Sequence, residues 1–181
     1  MTGATPAFTL PDTLTAQGFA LRAETDADTP FLMSLYATTR AHDMAFVPHW
    51  SAEQKQAFIG SQFLAQRHHY RTHFPDSAFD IITRRDEPVG RLYLDTRPSA
   101  LHIIDIALLP DWCGKGIGTA TLRALADCAH ANGRRVDIFV ERYNPALRLY
   151  RRLGFTVIAE HPVYLEMEWT AATPADQLNI A

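Results

Sequence analysis

Residues Asp111–Gly118 read DWCGKGIG and follow directly on an apolar run, Leu101–Leu109, that reads LHIIDIALL. Three glycines within five positions add conformational entropy that folding must remove, so either backbone geometry or a close neighbour requires them. Beyond them Ile117, Leu122, Leu125 and Ala129 recur at helical spacing until Asn132-Gly133, a good helix stop. A strand that ends in a glycine loop opening a helix is an anion site. The first helical turn leaves backbone N–H groups unpaired and carries the positive end of the dipole. Two phosphate-loop patterns fail on single residues. The Walker pattern needs Ser or Thr after its lysine, and Gly116 follows Lys115; the dinucleotide fingerprint counted from Gly116 needs glycine where Thr121 stands.

The segments around the loop read as one mixed α/β domain. Upstream, FALRA (19–23) fits a strand, and residues 25–40 fit a helix with Phe31, Leu32, Leu35 and Tyr36 on one face. Residues 41–50, AHDMAFVPHW, break periodicity and read as a loop. Ser51 and Gln54 form a capping box that opens a second helix running to Pro75, with Phe58, Ile59, Phe63 and Leu64 as its apolar stripe. Residues 79–85 and 89–97 read as an antiparallel pair around a turn at DEP, and 101–109 as the next strand. Downstream come a strand at 136–141, a helix starting at Asn144-Pro145 and ending at Gly154, and strands at 155–160 and 163–169. Residues 1–18 read as a loosely held leader, 19–170 as the folded domain and 171–181 as a short polar tail.

Composition sets outer bounds. The chain has 181 residues, 47% hydrophobic and 20% charged, with a net charge of −3. A domain of that length buries about 70% of the surface its unfolded chain exposes and needs no disulfide or metal staple. The slight acidity argues against a nucleic-acid partner. Cys113 and Cys128, without paired or metal-ligand spacing, suit a reducing compartment and make the cytoplasm the default expectation. No stretch approaches the roughly 20 apolar residues of a membrane span. His69 and His73 have the i, i+4 spacing of a metal pair, but no third ligand follows at a recognisable spacing, so no metal is expected.

Two stretches carry a family resemblance. LPDWCGKGIGTATL (109–122) resembles the acyl-CoA loop of the GNAT superfamily of N-acetyltransferases, [QR]-x-x-G-x-[GA], with Gly116 and Gly118 as its glycines and Cys113 in place of its Gln or Arg. NPALRLYRRLGF (144–155) resembles the family's N-x-A-x-x-L-Y-x-x-x-G-F segment. The resemblance implies a mostly antiparallel α/β sheet of about six to seven strands, flanked by about four helices and splayed at its central strands. It also implies acetyl-CoA as cosubstrate, a small-molecule or peptide amine as acceptor, and a monomer or homodimer. Two other readings share these motifs, a non-catalytic sensor of coenzyme A and an acyltransferase acting on aminoacyl-tRNA.

On that resemblance the pantetheine arm would pair with the backbone of Ile106, Ala107 and Leu108. The pyrophosphate would lie on the loop from Cys113 through Gly114, Lys115, Gly116, Ile117 and Gly118 to Thr119. Asn144 is part helix cap and part cofactor contact, and some of Arg134, Arg135, Arg142, Arg148, Arg151 and Arg152 would meet the 3'-phosphate. Direct acetyl transfer needs an acid for the departing thiolate, an oxyanion donor and a base for the amine. Tyr150 falls at the family's general acid, and the Leu108 N–H at its oxyanion donor. His102 stands where several relatives carry a base, and imidazole suits that work near neutrality. Asp105 competes for the role, and its spacing from His102 puts the two on opposite faces of a strand unless a bulge intervenes. His42, Asp43, His49 and Trp50 fall in the loop that lines the acceptor site in many relatives.

Overall fold

Apolar, β-branched segments in the middle of the chain are realised as the centre of one seven-stranded sheet. The computed structural model describes residues 8–171. Its strands are β1 (Phe19–Ala23), β2 (Ala78–Arg84), β3 (Glu87–Thr96), β4 (Ala100–Leu108), β5 (Arg135–Glu141), β6 (Thr156–Glu160) and β7 (Tyr164–Trp169), in the spatial order β1-β2-β3-β4-β5-β7-β6. Every neighbouring pair is antiparallel except β4 and β5. The helices are α1 (Asp12–Thr15), α2 (Thr29–Thr39), α3 (Ala41–Ala45), α4 (Ala52–His73), α5 (Ile117–Ala131) and α6 (Leu147–Arg152).

The sheet has a different kind of layer on each face. On one, α5 buries Ile117, Leu122, Leu125 and Ala129 against Leu92, Leu94, Leu101, Ile103, Val136 and Ile138. Full burial of such side chains stabilises by about 1.5–3 kcal/mol each, which makes this the principal core. On the other face, α2 and α4 close over Ile81 through Leu32, Tyr36 and Phe63, and the layer beside them is polar.

Several sequence expectations need correction. Residues 8–18 are not loosely held: Leu10 and Leu14 are buried in the principal core, Leu14 on α1, so burial outweighs a polar, aperiodic composition. Residues 1–7, and the tail beyond residue 171, lie outside the described residues. The segment expected as a loop contains α3, one helical turn packed after α2. On α4 the capping box at Ser51 and Gln54 is present and Phe63 is buried, but Phe58 and Leu64 are exposed. The β2–β3 turn falls on Arg85 and Asp86, both at positive φ, and Glu87 and Pro88 already belong to β3. Helix α6 starts at Leu147, because the Asn144 side chain accepts from the Ala146 N–H at 2.8 Å and closes a local turn instead of capping a helix.

Candidate active site

The two central strands part company. Strands β4 and β5 pair only from Ala100↔Arg135 to Ile103↔Ile138, although β4 runs on to Leu108 and β5 to Glu141. Residues Asp105–Leu108 therefore keep their β3 neighbours and leave the other edge open. Leu109 N–H donates to Val89 O across β3 at 2.9 Å, so strand alternation turns the Leu108 N–H into the gap. That gap can pair with an extended chain of amides as a further strand would.

The glycine loop stands at the mouth of the gap. Gly114 and Gly116 have φ of +72° and +83°, and nothing lies within 4 Å of a Cβ built on either. Their requirement is conformational, since the left-handed region costs an ordinary residue about 1–2 kcal/mol. Gly118 is helical, and a Cβ built on it would meet Leu149 Cδ2 alone, at an ordinary 3.7 Å, which leaves the helix start open to a ligand. The first N–H groups of α5 have no carbonyl to meet within the helix. Free donors, open space and a dipole end fit a pyrophosphate beside a strand-like arm. Lys115 Nζ stands 5.0 Å from the Trp112 ring centroid, and the exposed Cys113 thiol donates to the carbonyls of Leu108 and Leu109 at 3.7 and 3.5 Å. Of the candidate 3'-phosphate contacts, Arg134 bonds Pro98 O, Arg135 pairs with Glu168, and Arg142 with Glu160. Arg148, Arg151 and Arg152 lie on or beside the exposed face of α6.

Tyr150 is 4% exposed and packs edge-on to Phe155. Burial, helped by the nearby Asp105 carboxylate, pushes its hydroxyl well above the ordinary tyrosine range, so it stays protonated. A protonated hydroxyl can donate.

His102 and Asp105 share a face after all. The β3–β4 register shifts between Tyr93↔Asp105 and Leu94↔Ile103, so Ile104 is an extra residue, a β-bulge that turns both side chains toward α4. His102 is buried, stacks on Phe74 with ring centroids 5.7 Å apart, and bonds through Nδ1 to the buried Asp137 of β5. Asp105 is engaged otherwise. It accepts from Arg91 at 2.7 Å and from the Tyr70 hydroxyl at 3.0 Å. Burial works against the Arg91 charge, but Asp105 beside it, with Tyr93 and Tyr70, raises the guanidinium pKa. Farther along the same layer Tyr93 donates to Glu24, which Arg67 and Arg71 also hold, at 3.1 and 2.8 Å.

Beside the open end of β5, a cavity of about 280 Å³ lies between α2, α3 and α4. Its walls include Tyr36, Arg40, Asp43, Met44, Phe58 and Glu141. Arg40 joins the two carboxylates, 3.3 Å from Asp43 and 2.9 Å from Glu141. Burial opposes its charge, and Glu141, with Tyr36 and Asp43, more than offsets that and raises its pKa. Of the four residues expected near an acceptor, Asp43 lines this cavity, while His42 packs on Phe46 and Trp50 on Phe58.

Sequence reading missed Asp137, Arg91, Arg40, Glu141 and Gly90. A Cβ on Gly90 would stand 2.4 Å from Ala107 O and 2.7 Å from Leu108 Cδ2, so this glycine lets β3 approach the open strand. Asp137, Arg91 and the Arg40–Glu141 pair meet partners 14 to 101 positions away, and only a glycine inside a strand pattern could have signalled the close approach.

The comparisons with known proteins agree with this geometry. A family model described as the acetyltransferase (GNAT) family matches residues 35–155. The PaiA N-acetyltransferase of Thermoplasma acidophilum, solved with coenzyme A, superposes with a TM-score of 0.60 at 18% identity, covering 83% of this chain and 97% of its own. A GCN5-related N-acetyltransferase from Rhodopseudomonas palustris gives 0.59 at 20% identity, covering 84% and 95%. The PH1933 protein of Pyrococcus horikoshii OT3 gives 0.61 at 15%, covering 86% and 99%. At these identities the likeness speaks for the fold. No curated protein matches the sequence.

Proposed function

The chain belongs to the GNAT acetyltransferase family and so uses acetyl-CoA, and from that premise we propose that it transfers the acetyl group to a primary amine by direct attack. The observation that carries the proposal is the gap between β4 and β5, with a protonated tyrosine near it and a loop of free backbone donors at its mouth. Bound there, acetyl-CoA supplies the thioester carbonyl that the amine attacks.

The chain's own groups divide the remaining work. Backbone amides of Ile106–Leu108 hold the arm, and the loop from Cys113 to Thr119 holds the pyrophosphate. The Leu108 N–H is the oxyanion donor. The Tyr150 hydroxyl gives its proton to the leaving thiolate. His102 takes the amine proton through a water on Nε2, with Asp137 fixing the tautomer by accepting from Nδ1. Asp105 is a positioning residue, because its carboxylate already accepts from buried Arg91 and from the Tyr70 hydroxyl. Asn144 shapes the turn that aims α6, and Arg148, Arg151 and Arg152 are the candidates for the 3'-phosphate.

The deciding experiment offers acetyl-CoA with small amines, peptides and charged tRNA and follows free thiol. Turnover with small amines or peptides is expected. Turnover with charged tRNA alone would move the acceptor class, and tight coenzyme A binding without any turnover would make the protein a sensor.

A further inference from the structure

We infer that the acceptor is a short aliphatic amine carrying a second cationic nitrogen, bound in the cavity between α2, α3, α4 and the end of β5. The inference rests on the transferase reading and deepens it. Position comes first. The last β4–β5 pair is Ile103↔Ile138, so Glu141 stands about level with Ile106 and Ala107 across the opened gap. The cavity that Glu141 walls therefore adjoins the place where an acyl group would lie.

Size comes next. A volume of about 280 Å³, at roughly 30 Å³ per water-sized group, holds about nine such groups. That suits a small molecule better than a folded partner.

Charge then selects among small amines. The walls carry two carboxylates and one guanidinium, a formal sum of −1. Arg40 bridges Asp43 and Glu141, yet each carboxylate side chain is about half exposed, at 52% and 50%. A cation can meet those free edges without disturbing the triad. An anion would have to displace a carboxylate from Arg40, whose charge is already held by two partners. The attacking nitrogen must shed its proton before it reacts, so a monoamine gives up its attraction to these carboxylates when it becomes a nucleophile. A second charged nitrogen keeps that attraction through the reaction. Tyr36, Met44 and Phe58 offer apolar walls for a methylene chain.

Three acceptors of matched length test this with acetyl-CoA and a thiol readout: 1-aminopentane, 1,5-diaminopentane and 5-aminopentanoate. The diamine should exceed the monoamine at least tenfold in kcat/KM and the aminocarboxylate by about a hundredfold, with the advantage shrinking as salt is added. In Asp43→Asn the ratio of diamine to monoamine should fall several-fold, a ratio that partial loss of folded protein would leave unchanged. An aminocarboxylate or monoamine equal to the diamine overturns the inference and leaves the transferase reading standing. Acetylation of none of the three also overturns it. The transferase reading then falls only if the wider panel of amines, peptides and charged tRNA is silent as well.

Discussion

At the scale of single residues, environment decides chemistry more than residue type does. Tyr150 and Tyr70 both have hydroxyls raised above the ordinary range, chiefly by burial, but Tyr70 spends its proton on Asp105 while Tyr150 stands near the gap. Tyr150→Phe should lower turnover by roughly 10² to 10⁴ with little change in coenzyme A affinity, the usual contribution of a positioned acid. Single-turnover rates and a binding isotherm separate the two effects, and an unchanged rate would return Tyr150 to a packing role beside Phe155. Cys113 replaces the family's long polar residue with a short thiol that faces two carbonyls and remains exposed. Iodoacetamide should therefore label Cys113 in the free protein and fail to do so under saturating coenzyme A, as peptide mass spectrometry would show. Labelling that ignores the cofactor would place the pyrophosphate elsewhere.

At the scale of elements, close approach and charged side-chain bonds fix how neighbouring elements meet. Gly90→Ala would drive a Cβ into the Ala107 carbonyl, a backbone atom that cannot swing aside. It should cost about 1–3 kcal/mol, the usual range for overpacking, and weaken coenzyme A binding as β4 shifts. Gly60→Ala, on α4 with nothing within 4 Å, is the control and should stabilise by about 0.5–1 kcal/mol. Equal melting temperatures for the two variants would contradict the close-approach account. The β1–α2 junction depends on Asp28, which accepts from Arg22 at 2.6 and 2.8 Å and from the Thr25 N–H at 2.8 Å. Arg22, with Thr25 adding to it, outweighs burial and holds this carboxyl well below the usual aspartate range. A carboxylate whose folded pKa is depressed stabilises above its unfolded pKa, near 3.9, and that stabilisation is lost as pH falls toward the folded value. Asp28→Asn should thus be less stable than the parent at pH 7, by about 1 kcal/mol for the lost ion pair with half-exposed Arg22, and the difference should shrink below about pH 4. Denaturant melts at the two pH values measure it, and a constant difference would assign the loss to packing.

At the scale of the whole molecule, the sheet joins a stable core on one face to a polar layer on the other, and the cofactor gap lies where their central strands separate. A ligand that binds only the folded chain adds about 2.7 kcal/mol at a hundredfold excess over Kd, which for a domain of this size is roughly 5–10 °C in Tm. Coenzyme A should produce that shift, ATP and NAD should not, and Gly118→Val should remove the shift while the free protein still melts cooperatively. The order of the strands and of helices α2, α4, α5 and α6, the glycine loop and the α6 tyrosine motif were legible in the sequence because local signals set them: period, capping and backbone freedom all act within a few residues. The α4 start follows from Ser51 and Gln54 alone, and the α5 face from four apolar residues. The bulge at Ile104 was not legible, since it depends on how β3 and β4 settle against each other, and with it went the shared face of His102 and Asp105. Nor were the His102–Asp137 pair, the Arg91–Asp105 pair or the Arg40 bridge to Glu141. The sequence by itself determined that this chain builds a mixed α/β sheet with a flexible-backbone glycine loop opening α5. Which carboxylate holds an arginine, which histidine is fixed by an aspartate and what charge the acceptor meets were decided only in the tertiary structure, because burial and Coulomb attraction act between residues that the chain brings together from far apart.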